Sequence, residues 1–204
     1  MGCPVSALAP RPAVDPLEDI ALVNLTDKQK GMIKESWSSI QQDITRAGII
    51  MFVRLFESHP ECKEVFFEFR GVDDTEMLRV NKELRAHGLS IVWFSIRVMS
   101  FVEKSVARLH EPEVLEKLAF DLGRKHYGYK AIPKYFIYVM PEFIRAIQPI
   151  LKDALTPELE DAWKALFVYL TGMMRQGYLE EERRQRKAGA PPTIERPDRK
   201  HSAI

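Results

Sequence analysis

The chain has 204 residues, of which 46% are hydrophobic, so it can bury one substantial core. Its formal net charge is only +1, which gives no reason to expect nucleic acid as a partner. Two cysteines are too few for a disulfide framework and suit a reducing compartment. The N-terminus lacks the basic start and apolar stretch of a secretory signal. The apolar run at residues 88–102 is shorter than the ~20 residues that span a bilayer.

Charge and proline content divide the chain into a core and two tails. Residues 1–24 carry a net charge of −2 and four of the thirteen prolines, so we expect a flexible segment there. Residues 183–204 carry a net charge of +5 and include proline and glycine, and we expect this basic tail to be disordered. The folded domain is therefore predicted to span residues 25–182.

Helical patterns begin at Thr26, which forms a capping-box pattern with Gln29 three residues later. Apolar residues then recur at helical spacing in two segments. The second ends before Pro60, because a residue that precedes proline avoids the α conformation. An aromatic cluster follows at residues 66–69, and helical spacing resumes from residue 76 to about residue 109.

Three further helical segments follow in the second half of the chain. One follows Pro112 and another starts at Pro133. The last starts at Thr156 and Pro157, which supply a cap and a first-turn proline. No segment shows the alternation typical of a strand, so the sequence predicts an all-α fold.

Two histidines stand apart from the other three because of where the helical pattern places them. His126 repeats at intervals of four with Leu118 and Leu122, so its imidazole lies on the buried face of its helix. His87 stands at the head of the apolar run. Each is either a core residue with satisfied ring nitrogens or a metal ligand. Two such residues on separate helices, with an aromatic cluster between helices, favour haem, which needs an axial imidazole and an apolar slot.

Several segments between about Leu25 and Tyr178 resemble the globin family. They are LFESHPECKEVFFEF, ELRAHGL, LAFDLGRKHYGY, IPKYF and LTPELEDAWKALFVYL. Within the globins, the resemblance is closest to the neuroglobin-like group called globin X, through MGCPVSA, SFVEKSVARL and GYLEEERRQR. The resemblance implies a globin fold around haem b, and we expect a monomer.

The resemblance also assigns the site residues. His126, in LGRKH, matches the proximal iron ligand, and His87, in RAHG, matches the distal position. Phe66 matches the phenylalanine that packs on the porphyrin, and Phe69 matches a residue that closes the same side. The matching wall positions are Leu122, Ile132, Phe136 and Val139. For each wall residue, ordinary core packing is the alternative interpretation.

A six-coordinate resting iron, bound by both His126 and His87, is the state that the resemblance implies. An exogenous ligand must then displace His87, which lowers its apparent affinity. Bis-imidazole ligation suits one-electron cycling, since both oxidation states keep six ligands. We therefore expect binding of O₂, CO or NO and a redox role, such as nitrite reduction or protection of membrane lipids, with an unknown reductase as partner. Whether the protein is an enzyme stays open.

The N-terminal residues MGCPVS fit the pattern for myristoylation of Gly2 after removal of Met1, and Cys3 is an adjacent palmitoylation candidate. One myristoyl chain binds membranes marginally, whereas two acyl chains anchor stably. Beside the globin X resemblance we expect acylation, which would place the protein on the cytoplasmic face of the plasma membrane. The alternative is an unmodified flexible tail.

The stretch after His87 departs from the family pattern. His87 and His126 are 39 residues apart, which is longer than the family normally allows. Without Ser90–Ile96 the spacing becomes 32, and the sequence around His87 resembles globin X more closely. Seven helical residues add ~10 Å of length and turn through ~700°, within ~20° of two full turns, so the apolar face keeps its direction.

Because of this insert, two residues are candidates for the distal wall. Either the helix is extended and the turn around Pro112 moves outward, or the insert bulges. Ile91 is the distal wall residue if the helix continues from His87, and Val98 takes that place if the insert is expelled.

Two other functions remain open. If the insert displaces His87 from iron, the protein is a five-coordinate oxygen carrier. If the histidines are core residues, the chain is an acylated all-helical interaction module that folds without haem.

Overall fold

The computed structural model describes residues 25–64 and 82–189, without the side chains of residues 64 and 82–90. The predicted N-terminal tail, the lipidation positions Gly2 and Cys3, and the predicted haem contacts Phe66 and Phe69 lie outside the described residues.

Within the described ranges the chain forms six α-helices and no strand, which agrees with the predicted all-α class. The α-helices, numbered in chain order, are α1 Asp27–Gln41, α2 Ile44–Ser58, α3 Lys82–Ala107, α4 Pro112–Gly128, α5 Val139–Leu151 and α6 Pro157–Ala188. Short 3₁₀ segments occupy Pro60–Glu64, Pro133–Tyr138 and Lys152–Ala154. None of these helices is long and apolar enough to cross a membrane.

Local signals set the starts of α1 and α6. Thr26 and Gln29 form the predicted capping box: the amide of Gln29 donates to Thr26 Oγ1 at 3.3 Å, and Gln29 Oε1 accepts from the amide of Thr26 at 2.9 Å. At α6 the amide of Leu159 donates to Thr156 Oγ1 at 3.3 Å, and Pro157 is the first helical residue. Both caps satisfy amides that no helical carbonyl can reach.

The helix predicted from Pro133 is interrupted. A 3₁₀ segment, Pro133–Tyr138, precedes α5, which begins at Val139. Pro141 has no amide hydrogen to donate to the carbonyl of Ile137, so a regular α-helix cannot run through this stretch with all its hydrogen bonds.

The last helix, α6, continues six residues beyond residue 182, where we predicted the folded domain to end. Glu181 accepts hydrogen bonds from Arg184 and Gln185 one turn later, and Glu182 pairs with Arg186 at 3.0 Å. Gly189 then caps the helix in the left-handed conformation, with φ 67°.

Trp163 lies at the centre of the core, where α1, α5 and α6 meet. Its side chain is fully buried, and its rings pack against Trp37 and Phe143 at centroid distances of 6.1 and 5.0 Å. The indole Nε1–H donates to Ser36 Oγ at 3.1 Å, so the buried polar atom of Trp163 is satisfied.

Helix α3 is continuous over its 26 residues, and the insert Ser90–Ile96 lies inside it. Of the two predicted accommodations, the structure therefore has the extended helix and not the bulge. Within α3, Ile91 is buried and Val98 is partly buried against the core.

Cys62 lies in the first 3₁₀ segment and is a buried free thiol. Burial, with a smaller contribution from the charge of Glu61, raises the pKa of Cys62 to about 12. The thiol therefore stays protonated at neutral pH.

Candidate functional site

His126 lies in the last turn of α4 with its ring orientation fixed by the backbone. Its Nδ1 is 2.9 Å from the carbonyl oxygen of Leu122, one turn earlier. A carbonyl oxygen can only accept, so Nδ1 carries the hydrogen and Nε2 keeps its lone pair. Burial lowers the pKa of His126, against the opposing effect of the Leu122 hydrogen bond. The imidazole is therefore neutral at pH 7, as a metal ligand must be.

Two aromatic rings hold the imidazole of His126 from the side. Phe136 meets it edge-on at a centroid distance of 5.1 Å and an interplanar angle of 80°, and Tyr129 does so at 5.8 Å and 66°. Phe136 is buried and in turn meets Tyr178 of α6 at 6.4 Å. These contacts restrict rotation of the imidazole.

The helix that carries His126 is held against α6 by backbone contact. A Cβ atom at Gly123 would overlap the carbonyl of Met174, and one at Gly177 would overlap the carbonyl of Phe120. Only glycine at both positions permits this approach of the two helices. His126, one turn after Gly123, is therefore attached to a helix that cannot shift toward α6.

A charged cluster adds to this crossing. Glu181 of α6 accepts from Arg124 of α4 at 3.0 Å, and also from Arg184 and Gln185 of its own helix. The hydrogen bond from Arg184 is the largest of several effects that hold the pKa of Glu181 at about 2. The carboxylate of Glu181 is thus ionised at all physiological pH values.

The predicted wall residues differ in their surroundings. Leu122 provides the carbonyl that holds His126, and its side chain is partly buried against the core, as is that of Val139. Phe136 contacts the ring of His126 directly. Ile132 is 37% exposed, which is high for a large apolar residue.

The predicted distal residues are only partly described. His87 lies in α3, but its side chain is not among those described, so its role as a ligand stays a prediction. Ile91 and Val98 both lie on the inner side of α3, with Ile91 the more buried.

One residue that the sequence interpretation did not assign to the site is Phe94. It is partly buried against the core, and its ring centroid lies 6.5 Å from that of Phe52 in α2. Within Ser90–Ile96, the sequence interpretation assigns a role to Ile91 alone, as a candidate wall residue. The available signal was the count: Phe94 stands 32 residues before His126.

The donor set around His126 suits a cofactor better than a bare metal ion. Among the described residues, no group of three or more His, Cys, Asp or Glu side chains could hold a metal ion. A single neutral imidazole beside aromatic and aliphatic side chains is the arrangement that an axial haem ligand requires, whereas a structural zinc site takes four ligands.

Known proteins resemble this chain over most of its length. The Globin family model matches residues 50–174, which is more than half of the chain. Cytoglobin-2 from Danio rerio is 28% identical over 153 residues, covering 72% of this chain and 82% of that protein. Neuroglobin from Danio rerio is 27% identical over 154 residues, covering 76% and 92%.

A solved structure shares the fold. The crystal structure of a hexacoordinated heme protein from an anhydrobiotic tardigrade has a TM-score of 0.66 at 23% identity, and covers 76% of this chain and 96% of that one. The predicted globin fold is thereby confirmed. With the matching family model, these observations show that the chain belongs to the globin family.

Proposed function

We propose that this globin binds haem b, with His126 as the proximal iron ligand, and that it binds O₂, CO or NO at the iron. The observation that carries the proposal is the hydrogen bond from His126 Nδ1–H to the carbonyl of Leu122 at 2.9 Å. It leaves Nε2 as a lone-pair donor of fixed direction, on a ring kept neutral by burial.

The surroundings of His126 fit a porphyrin. The aromatic ring of Phe136 contacts the imidazole of His126. The aliphatic side chains of Leu122, one turn before His126, and Val139, at the start of α5, are partly buried against the core. When bound, haem supplies an iron that coordinates a diatomic gas. The chain holds the imidazole in place and excludes water with apolar side chains.

The test is haem reconstitution of the purified protein. The wild type is expected to give a Soret band at one haem per chain, and His126→Ala to lose stable haem binding. His110→Ala is the matched control, because His110 lies in the exposed turn before α4. A wild type that folds but gives no Soret band contradicts the proposal and favours the helical interaction module.

The names of related proteins support a second candidate. The tardigrade structure is described as hexacoordinated, and neuroglobin is among the relatives. These names favour a six-coordinate iron with His87 as second ligand, and hence electron transfer or nitrite reduction with a partner reductase. The continuous α3 favours the five-coordinate alternative. Because no residue leaves the helix, His87 stands 39 residues before His126, which is seven more than the spacing of 32 that resembles globin X. The absorption spectrum of the reduced protein separates them: split visible bands indicate six ligands and one broad band indicates five.

We further propose that the chain is a globin of the globin X type, anchored at the cytoplasmic face of the plasma membrane by acyl groups on Gly2 and Cys3. The support is the motif MGCPVS together with the segments that resemble globin X. Metabolic labelling with a myristate analogue should mark the wild type and not Gly2→Ala. Cys3→Ser should keep the myristate label but lose stable membrane binding, since one chain anchors only marginally. An unlabelled wild type contradicts the anchor.

A further inference from the structure

We propose that Phe94, and not His87, occupies the distal position of this globin, so that His126 is the one protein ligand of the iron. The distal position is here the place on α3 whose side chain would face the haem iron from the side opposite His126. The inference rests on the proposed function, namely haem binding through His126, and decides between its two coordination states.

The continuity of α3 separates His87 from the place of residue 94. For His87 to stand where residue 94 stands, seven residues between them would have to leave the helix. Helix α3 runs from Lys82 to Ala107 without interruption. Seven residues rise ~10 Å, so His87 lies about two turns further toward the N-terminus of α3.

The crossing of α2 and α3 fixes the register of α3 against the rest of the fold. A Cβ atom at Gly48 of α2 would lie 2.9 Å from Ser95 Cβ and 2.9 Å from Met99 Cγ, so α3 crosses α2 at Ser95, directly after Phe94. Phe52, one turn after Gly48, has its ring 6.5 Å from that of Phe94. At the C-terminal end of α1, Gln41 Nε2 donates to Glu103 Oε1 of α3 at 2.7 Å.

The alternative register would weaken the packing of the core at the place of Val102. A seven-residue slide that brought His87 to the place of Phe94 would also move Ser95 to the place of Val102. Val102 is buried in the core, with 1% of its surface exposed. The slide would replace a buried apolar side chain by a hydroxyl and would bring Gly88 to the place of Ser95, so the contact between Ser95 and Gly48 would be absent.

Phe94 gives the site a different chemistry from that of a distal histidine. A phenyl ring has no lone pair for iron and no hydrogen to donate to a bound gas. No internal imidazole then competes with an exogenous ligand, and the reduction in apparent affinity that such competition imposes is absent. Val98, one turn after Phe94 and partly buried, then takes the place of Ile91 as the wall residue, because the distal position is counted from Phe94 and no longer from His87.

The experiment compares the reduced spectra of the haem-reconstituted full chain and three variants. The wild type, His87→Ala and Phe94→Leu are expected to give one broad visible band. Phe94→His is expected to give split bands and an apparent CO affinity lower by about 10-fold or more, because the new imidazole competes for iron. Circular dichroism establishes that each variant is folded.

The results that overturn the inference are distinct from those that overturn the proposed function. Split bands in the wild type that His87→Ala abolishes would show His87 at the iron and refute the role of Phe94. Absence of haem from the wild type would refute haem binding itself.

A measurement on the apoprotein tests the register without haem. Ser95→Leu places a large side chain against Gly48 and should lower the melting temperature by about 5 °C, whereas Ser95→Ala should not lower it. A Ser95→Leu protein as stable as the wild type would mean that Ser95 does not lie at the crossing, and would overturn the inference.

Discussion

The crossing of α4 with α6 and the crossing of α2 with α3 are both made by glycine, but the glycines meet different atoms. At the first, Gly123 and Gly177 each face the backbone of the partner helix. At the second, Gly48 faces mainly the side chains of Ser95 and Met99. Backbone and Cβ atoms of a helix cannot move aside, so the contact with Ser95 Cβ is also fixed, whereas the Met99 side chain can adopt another rotamer.

The two crossings also differ in their polar groups. The α4–α6 crossing has Glu181 with three hydrogen-bonded partners, two of them arginines. The buried hydroxyl of Ser95 at the α2–α3 crossing has no hydrogen-bond partner among the described residues. The α4–α6 crossing, on the side of the fold that holds His126, is thus fixed by backbone contacts that no change of rotamer can relieve. The α2–α3 crossing has one contact that a change of rotamer can relieve, the contact with Met99, and so tolerates substitution better.

The largest effect is expected for Gly123→Ala. Its Cβ atom would overlap the carbonyl of Met174, so α4 and α6 would have to separate. We expect a loss of about 4 kcal/mol in the free energy of unfolding, measured by urea denaturation. Gly31→Ala is the control, because no atom lies within 4 Å of its Cβ position, and it should stabilise by about 0.5 to 1 kcal/mol. Equal effects of the two substitutions would show that the α4–α6 contact is not tight.

Glu181→Gln should cost about 1.5 kcal/mol at pH 7, since its arginine partners are roughly half exposed and solvent weakens the pairs. The pKa of Glu181 is lowered from 4.5 to about 2 in the folded protein. A carboxylate with a lowered pKa stabilises the fold fully above pH 4.5, and this contribution is lost as the pH falls toward 2. The difference between wild type and variant should therefore shrink in urea titrations from pH 5 to pH 3. A difference that stays constant would contradict the assignment of the charge to Glu181.

Gly48→Ala should cost about 1 kcal/mol, much less than Gly123→Ala. The methyl group would press on Ser95 and Met99, but the Met99 side chain can move, and alanine favours the helix. Thermal denaturation of both variants under one condition makes the comparison. A Gly48→Ala protein as unstable as Gly123→Ala would remove the distinction between the crossings.

The smallest effect is expected for Ser95→Ala, which should stabilise by about 0.5 kcal/mol. The substitution removes a buried hydroxyl that has no hydrogen-bond partner in the part of the chain that the structure describes, and alanine has nearly the same size. A loss of stability in the same urea assay would indicate that the hydroxyl is satisfied in solution.

Features of the fold that depend on neighbouring residues could be predicted from the sequence. The capping box at Thr26, the proline at the first position of α4 and the cap at Thr156 are all signals within four residues of the helix starts that they set. The 3₁₀ segment before α5 was not predicted, because the apolar spacing from Pro133 is the same for a continuous helix. The glycine contacts of α4 with α6 were not predictable either, since they join residues more than fifty positions apart.

The candidate site divides in the same way. The repeat of Leu122 and His126 at an interval of four indicated that the imidazole of His126 faces inward, and the structure has it partly buried. The assignment of the distal residue depended on a count along α3, and the count gave two answers that differ by seven residues. The contacts of α3 with Gly48 and Phe52 of α2 distinguish the two registers, and no pattern within α3 contains that information.

The buried thiol of Cys62 has a practical consequence for the study of the N-terminus. With its pKa raised to about 12, Cys62 has almost no thiolate at neutral pH and should not react with maleimide or iodoacetamide in the folded protein. The chain has just one other cysteine, Cys3. Any thiol that such a reagent labels in the folded protein is therefore Cys3, and the labelled fraction directly measures how much of that residue carries no acyl group.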